Sequence, residues 1–195
     1  VGQPDQVPER ALTQCASLGA KSRGIGSLNQ IGNIVRGIPV GAHRNRQQMR
    51  AALDSLDRDS VGVLERVARR IESFAMAQRG MYRDLSTPTP GGEGGHTVEP
   101  VCAAGCYAPG GRYPLPSSVL MTAVTARAAG VERVVVASPR PTPTLLAAAA
   151  IAGADEYLCV GGAHAIATLA YGCEHVAPVD VVVGPGNAWV TAAKQ

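Results

Sequence analysis

The sequence predicts an open α/β fold built on a parallel sheet, and three observations predict it. Residues 97–195 alternate short β-rich apolar runs with segments of helical period. Val134-Val135-Val136 and Val181-Val182-Val183 are apolar without alternation, the pattern of strands covered on both faces. Gly-rich turns follow three of the apolar runs, where the strand-to-helix turns of such a fold lie. Composition agrees. With 46% hydrophobic, 17% charged and only 4% aromatic residues, alanine, valine and glycine must do the packing, and general disorder is excluded. A length of 195 residues suits one domain with a real core, at most a domain and a half.

In chain order, residues 1–45 show no sustained helical or strand period and are rich in glycine, so they read as an irregular or disordered arm. No acidic residue lies between Glu9 and Asp54, while Arg10, Lys21, Arg23, Arg36, Arg44, Arg46 and Arg50 are basic. That composition fits an organelle transit peptide or, equally, a flexible basic arm. Residues 46–84 read as a helical lead-in. Ala51, Ala52 and Leu56 give a short apolar face, and the Asp57–Ser60 cluster stops one helix and starts another, with Ser60 or Asp59 as cap. Val61, Leu64, Val67, Ala68, Ile71, Phe74 and Ala75 form the apolar stripe of that second helix. Arg69, Arg70 and Arg79 read as a solvated face. Ser86–Gly95, STPTPGGEGG, reads as a loop and a domain boundary. Strands are expected at Val98–Val101, Val131–Ala137, Tyr157–Val160 and Val179–Val183. Helices are expected at Ser117–Ala129, capped by its own serines, at Pro143–Ala152 and at Ala163–Tyr171, with a last one opening at Ala188.

The glycine turns indicate where such a fold binds its ligand. They are Gly105–Gly111, Gly161-Gly162-Ala163-His164 and Gly184-Pro185-Gly186-Asn187. Without Cβ atoms these turns let a ligand approach the backbone, and the N–H groups and dipole of the following helix suit a phosphate. Neither the G-x-G-x-x-G fingerprint nor a P-loop follows a strand, and no G-x-S-x-G elbow is present, so an ordinary dinucleotide enzyme or an acyl-transfer enzyme is not what pattern alone supports.

Other classes are weakly supported or excluded. The longest apolar run, Leu145–Ala152, is far short of the ~20 residues of a membrane span. A net charge of +3 does not argue for nucleic acid. Five scattered cysteines are not a disulfide framework and point to a reducing compartment. Cys102-x3-Cys106 lacks the second ligand pair that structural zinc requires.

At the glycine turns the residues resemble a known family. The runs GCYAPGGRYPLPSSVLMTAVTARAAGVERVVVASP, GGAHAIATLAYG and VDVVVGPGNAWVTAAK, preceded by VARRIESFAMAQ at Val67–Gln78, resemble histidinol dehydrogenase over residues 50–195. The resemblance implies an α/β, Rossmann-like but incomplete sheet, with residues 97–195 as part of an NAD-binding domain. It implies the oxidation of L-histidinol to L-histidine through the aldehyde with reduction of two NAD, by a homodimer with one zinc per site. Three positions match the family's cofactor contacts: Tyr107 in the G-x-Y-x-P-G-G turn, Asn187 in G-P-G-N, and His164 where the family usually has glutamine. The alternatives are a packed ring for Tyr107, a plain helix cap for Asn187 and a solvent-facing residue for His164. Imidazole presents one donor and one acceptor in a different geometry from an amide and charges near neutral pH, so cofactor binding here is expected to be weaker or pH-dependent.

In the family the zinc ligands and the catalytic Glu-His pair come from segments after the G-P-G-N helix, and no matching run is present in these 195 residues. Neither His96 nor His175 has a partner at ligand spacing, and His175, though it follows Glu174, is not the family's pair. Three readings therefore stand: a portion of histidinol dehydrogenase, inactive by itself; a truncated, non-catalytic relative that at most binds NAD; or a paralogue oxidising another amino or sulfonated alcohol. The compartment is cytoplasmic on the basic-arm reading and plastidial on the transit-peptide reading.

Overall fold

The computed structural model describes residues 38–195 apart from Arg112. The expected arm over residues 1–37 lies outside the described residues. The rest of that stretch is ordered into the sheet: a 3-10 turn at Val40–Ala42 leads into β1 (His43–Asn45).

Helix α1 (Arg46–Asp54) opens on Asn45, whose side chain accepts from the Gln48 N–H while Gln48 reaches back to the Asn45 N–H, a reciprocal capping box. Helix α2 (Arg58–Arg79) is capped by Asp57, not by Asp59 or Ser60; the Asp57 carboxylate accepts from the Ser60 N–H at 2.8 Å. That bond holds the carboxyl below the ordinary aspartate value. Leu64, Ala68 and Ala75 form the buried stripe of α2, with Val67 and Ile71 beside it. Phe74 falls off it. At 100° per residue it sits roughly 80° round from Leu64, so its ring is exposed. Arg79 is exposed as expected, and its Nη1 also donates to the Ala128 carbonyl at 3.1 Å, at the end of a later helix.

The stretch expected as a loop is a hairpin. Strands β2 (Leu85–Thr89) and β3 (Gly92–His96) pair antiparallel from Leu85↔His96 to Thr89↔Gly92, across Pro90 and Gly91. Gly91 has φ +89, the left-handed conformation that a Pro-Gly turn supplies. Every residue of the hairpin is exposed, and its Gly/Pro content hid it from propensity reasoning.

The main sheet follows: β4 (Ala103–Tyr107), α3 (Pro116–Ala128), β5 (Arg133–Ala137), α4 (Pro143–Ile151), β6 (Glu156–Leu158), α5 (Gly162–Tyr171), β7 (Val181–Val183) and α6 (Ala188–Ala193). The first strand of the unit is therefore Ala103–Tyr107, not Val98–Val101. Gly105 lies inside it, where a Cβ would sit 2.9 Å from Leu169 Cδ1, so the glycine lets α5 close on the sheet. Helix α3 starts with Pro116 at N1 behind Leu115, without the serine cap that was expected. The sheet order is β1-β6-β5-β4-β7. All pairs are parallel except β1 against β6, so the expected parallel sheet carries one antiparallel edge strand.

Alternation in the strands divides the core in two. Ala104, Cys106, Val134, Val136 and Tyr157 face a layer made by α1, α2, α3 and α4. Tyr107, Val135, Ala137 and Leu158 face α5 and α6. Burying a side chain such as Leu120 or Leu169, at 1% and 0% exposure, contributes about 1.5–3 kcal/mol each. The triple valine of β5 is covered on both faces as expected. That of β7 is not: β7 is the outermost strand among the described residues, and Val181 and Val183 are exposed.

The opposite edge of the sheet from the glycine turns is tied by charge. Asp155 accepts from the Val134 N–H at 2.7 Å and pairs with Arg127 and Arg46. Burial pushes its carboxyl up, but those three donors outweigh it and hold the group below its ordinary value. Glu156 joins His43 at 3.0 Å and Arg133 at 3.1 Å. Among the described residues no helix is long and apolar enough to cross a membrane.

Candidate coenzyme crevice at the strand tips

The connections run β4 to β5 to β6 in one direction across the sheet, and β7 then returns to the other side of β4. The order reverses between β4 and β7. In an open α/β sheet a ligand crevice forms outside the carboxyl ends of the strands at such a point.

Four strand tips meet there, and close approach between them requires glycine. After β5, the ring of Pro139 is flanked by the turns that follow β4 and β6. A Cβ on Gly110 would lie 2.3 Å from Pro139 Cγ, and one on Gly161 2.7 Å from the same atom. After β7, Gly184 lies on the main chain of Tyr107 with φ +120, and a Cβ there would fall 1.9 Å from the Tyr107 carbonyl oxygen.

The three residues singled out in the sequence share this edge and the face covered by α5 and α6. Tyr107 closes β4. Its ring is 4% exposed, packed with Leu158, Ile166 and Val190 in one cluster, and its Oη accepts the Gly162 N–H at 3.1 Å. The hydroxyl keeps its own proton for one further acceptor. Gly162 takes φ +64 to begin α5, and the N-cap Gly161 has no side chain to offer, so beyond the Gly162 N–H taken by Tyr107 the N–H groups of Ala163 and His164 have no side-chain acceptor. His164 is exposed in the first turn of α5, and its carbonyl accepts from the Thr168 hydroxyl. Asn187 is the N-cap of α6: Oδ1 accepts the Val190 N–H at 3.0 Å, leaving its amide N–H2 for another partner. Helices α5 and α6 pack side by side.

Sequence reasoning missed three participants. Pro139 is the post between the turns. Arg140 carries φ +54 and donates from Nη2 to the carbonyls of Gly110 and Gly111, at 2.8 and 3.2 Å. Lys194 folds back from the end of α6 to the Gly184 carbonyl at 2.5 Å. The Ser-Pro-Arg-Pro run directly after β5 was the signal for the first two.

The glycine-lined tips, the Ala163 and His164 N–H groups at the start of α5 and the free Asn187 amide fit a phosphate-bearing, hydrogen-bonding ligand such as a dinucleotide. Zinc finds no fit. Among the described residues no three His, Cys, Asp or Glu side chains are grouped to hold a metal ion. Cys106 is fully buried, with burial pushing its thiol up to about 11. Tyr157, on the other side of the sheet, is likewise pushed up to about 12 by burial, partly offset by Ser138. Its Oη nevertheless lacks a partner of proper hydrogen-bond geometry.

The fold and this crevice are those of part of a doubly wound α/β unit. The model of the family "Histidinol dehydrogenase" matches residues 37–195, and the chain belongs to that family. It is 46% identical over 160 residues to the histidinol dehydrogenase of Mesorhizobium japonicum, covering 80% of this chain and 37% of that protein. With the histidinol dehydrogenase of Thermobifida fusca it shares 42% identity over 184 residues, 90% of this chain and 42% of the relative. "Histidinol dehydrogenase homolog 1" of M. japonicum is 50% identical over 131 residues, 65% of this chain and 26% of that protein. A crystal structure of histidinol dehydrogenase from Elizabethkingia anophelis superposes with a TM-score of 0.71 at 25% identity, over 99% of this chain and 46% of that one. The chain thus spans less than half the length of each of these relatives.

Proposed function

We propose that this chain forms the coenzyme side of a histidinol dehydrogenase, working in the NAD-dependent oxidation of L-histidinol to L-histidine through the aldehyde. The observation that carries the reading is the juxtaposition of four glycine- and proline-built strand tips with the starts of α5 and α6, in a chain matched by that family over residues 37–195. NAD supplies the hydride acceptor, one molecule for each of the two two-electron steps. Asn187 donates to the dinucleotide through its free amide, and the N–H groups of Ala163 and His164 face its phosphates. Tyr107 acts by fixing the start of α5 through its bond to Gly162. His164 takes the glutamine's place with an imidazole, which offers one donor and one acceptor in a geometry different from an amide's. No step through zinc is assigned to these residues. The working enzyme on this reading is a soluble homodimer with zinc, in the cytoplasm or a plastid.

The assay uses the sole tryptophan, Trp189, exposed in the first turn of α6 two residues beyond Asn187. NAD is expected to quench its fluorescence saturably, with Asn187→Ala weakening binding and His164→Gln strengthening it. Absence of a saturable change, or identical curves for all three proteins, would overturn the reading. A second reading has its own observation: the relative matched at 50% identity carries the name "homolog 1", and the same organism has a second family member. On that reading the substrate is another alcohol, and a substrate panel run with the full-length enzyme separates the two.

A further inference from the structure

Arg140 is the residue that neither the family resemblance nor the glycine pattern accounts for. It is a non-glycine residue in the left-handed region, with φ +54, the one such case among the described residues. A residue held there is strained and persists only where the surroundings fix it. What fixes it here is on both sides: Pro139 is wedged between Gly110 and Gly161, and the Nη2 group of Arg140 bridges the Gly110 and Gly111 carbonyls. Nη1 and Nε make no bond among the described residues, no carboxylate pairs with the guanidinium there, and the side chain is exposed at the strand edge.

The position has a chemical meaning. Strand β5 is second in the doubly wound unit that begins with β4, and its tip stands beside the first glycine turn. In dinucleotide folds an acidic residue at that place binds the ribose 2′-hydroxyl and repels a 2′-phosphate, whereas an arginine accepts the phosphate. This chain has no acidic residue from Arg133 through Ala154, so nothing on β5, the β5–α4 turn or α4 can play the repelling part. Resting on the coenzyme reading above, we propose that Arg140 is a specificity-determining residue that opens the ribose site to a 2′-phosphate. The chain then binds a 2′-phosphorylated pyridine dinucleotide at least as tightly as the unphosphorylated one. Arg140's carbonyl bonds pre-set the guanidinium, leaving two donor groups free to face the phosphate.

The test titrates the 195-residue chain with NAD and NADP by Trp189 fluorescence and by calorimetry, beside Arg140→Gln and Arg140→Gly. The glycine variant suits φ +54 and keeps the fold even if the glutamine variant does not. The expected result is NADP affinity equal to or up to about tenfold above that of NAD at low salt, the advantage shrinking at high salt as a charge pair requires. Both variants are expected to lower the NADP-to-NAD affinity ratio about tenfold. If NAD binds but NADP binds tenfold more weakly, or if both variants leave the ratio unchanged, the inference falls while the coenzyme reading stands. If neither nucleotide binds, the coenzyme reading falls and takes the inference with it.

Discussion

Replacing Gly184 with alanine tests whether the tips of β4 and β7 are held as close as the crevice requires. The new Cβ would fall 1.9 Å from the Tyr107 carbonyl oxygen and 2.9 Å from its carbon, against the 3.4 Å at which ordinary contact begins. That oxygen belongs to the backbone of a strand paired on both sides, so the main chain must shift by more than an ångström. The φ of +120 adds conformational strain that glycine avoids. Strain of about 1–3 kcal/mol and overpacking of about 1–3 kcal/mol give a loss of about 2–6 kcal/mol. At about 2–4 °C per kcal/mol for a chain of this size, the melting midpoint falls by about 4–24 °C. Gly91→Ala is the matched control: φ is +89, yet nothing lies within 4 Å of the added Cβ, so only the strain remains. Thermal melts followed by circular dichroism compare the two. Equal losses would refute the close approach, because conformational strain alone would then explain both.

Other outcomes follow from the packing and charge described above. Asp155 in the fold is held below its ordinary 3.8 by the Val134 N–H, Arg46 and Arg127 acting against burial. Its contribution is therefore complete above that value and is lost as pH falls through the lower folded one. In urea titrations the stability gap between the native chain and Asp155→Asn should shrink from pH 6 to pH 3; a gap independent of pH would contradict the pairing. Cys106 is fully buried with its thiol pushed up to about 11, so at pH 8 iodoacetamide should spare it in the folded chain and label it in urea, as read by peptide mass spectrometry. Tyr107→Phe strands the Gly162 N–H at the start of α5 and should cost about 1–3 kcal/mol by urea denaturation, with no loss expected if that bond is absent.

Much of the sheet was legible because β5, α4 and α5 carry strong local signals: a valine run, a Pro start behind Thr142, and a Gly-Gly opening. The readings that failed depended on information the local sequence does not hold. Val181–Val183 has the same composition as Val134–Val136, but only sheet order makes one the outermost of the described strands and the other central. Ala103–Tyr107 contains two alanines and a glycine, poor strand formers, and becomes a strand because β5 and β7 pair with it on either side. The same override applies to the Gly/Pro hairpin. At the candidate site, motif singled out Tyr107, His164 and Asn187, and glycine singled out the turns. Pro139 and Arg140 were not found, because their roles arise from neighbouring tips 30 residues apart in sequence, as between Gly110 and Arg140.

The central claim is that a pyridine dinucleotide lies outside the tips of β4 and β7. Amide chemical shifts of the isotope-labelled chain, followed during titration with NAD, measure it most directly. Shifts should concentrate at Gly110–Gly111, Gly161–His164 and Gly184–Trp189 and saturate together. Shifts gathered instead on the shallow outer groove of α2 around Arg66, Arg70 and Phe74, or spread without saturation, would contradict it.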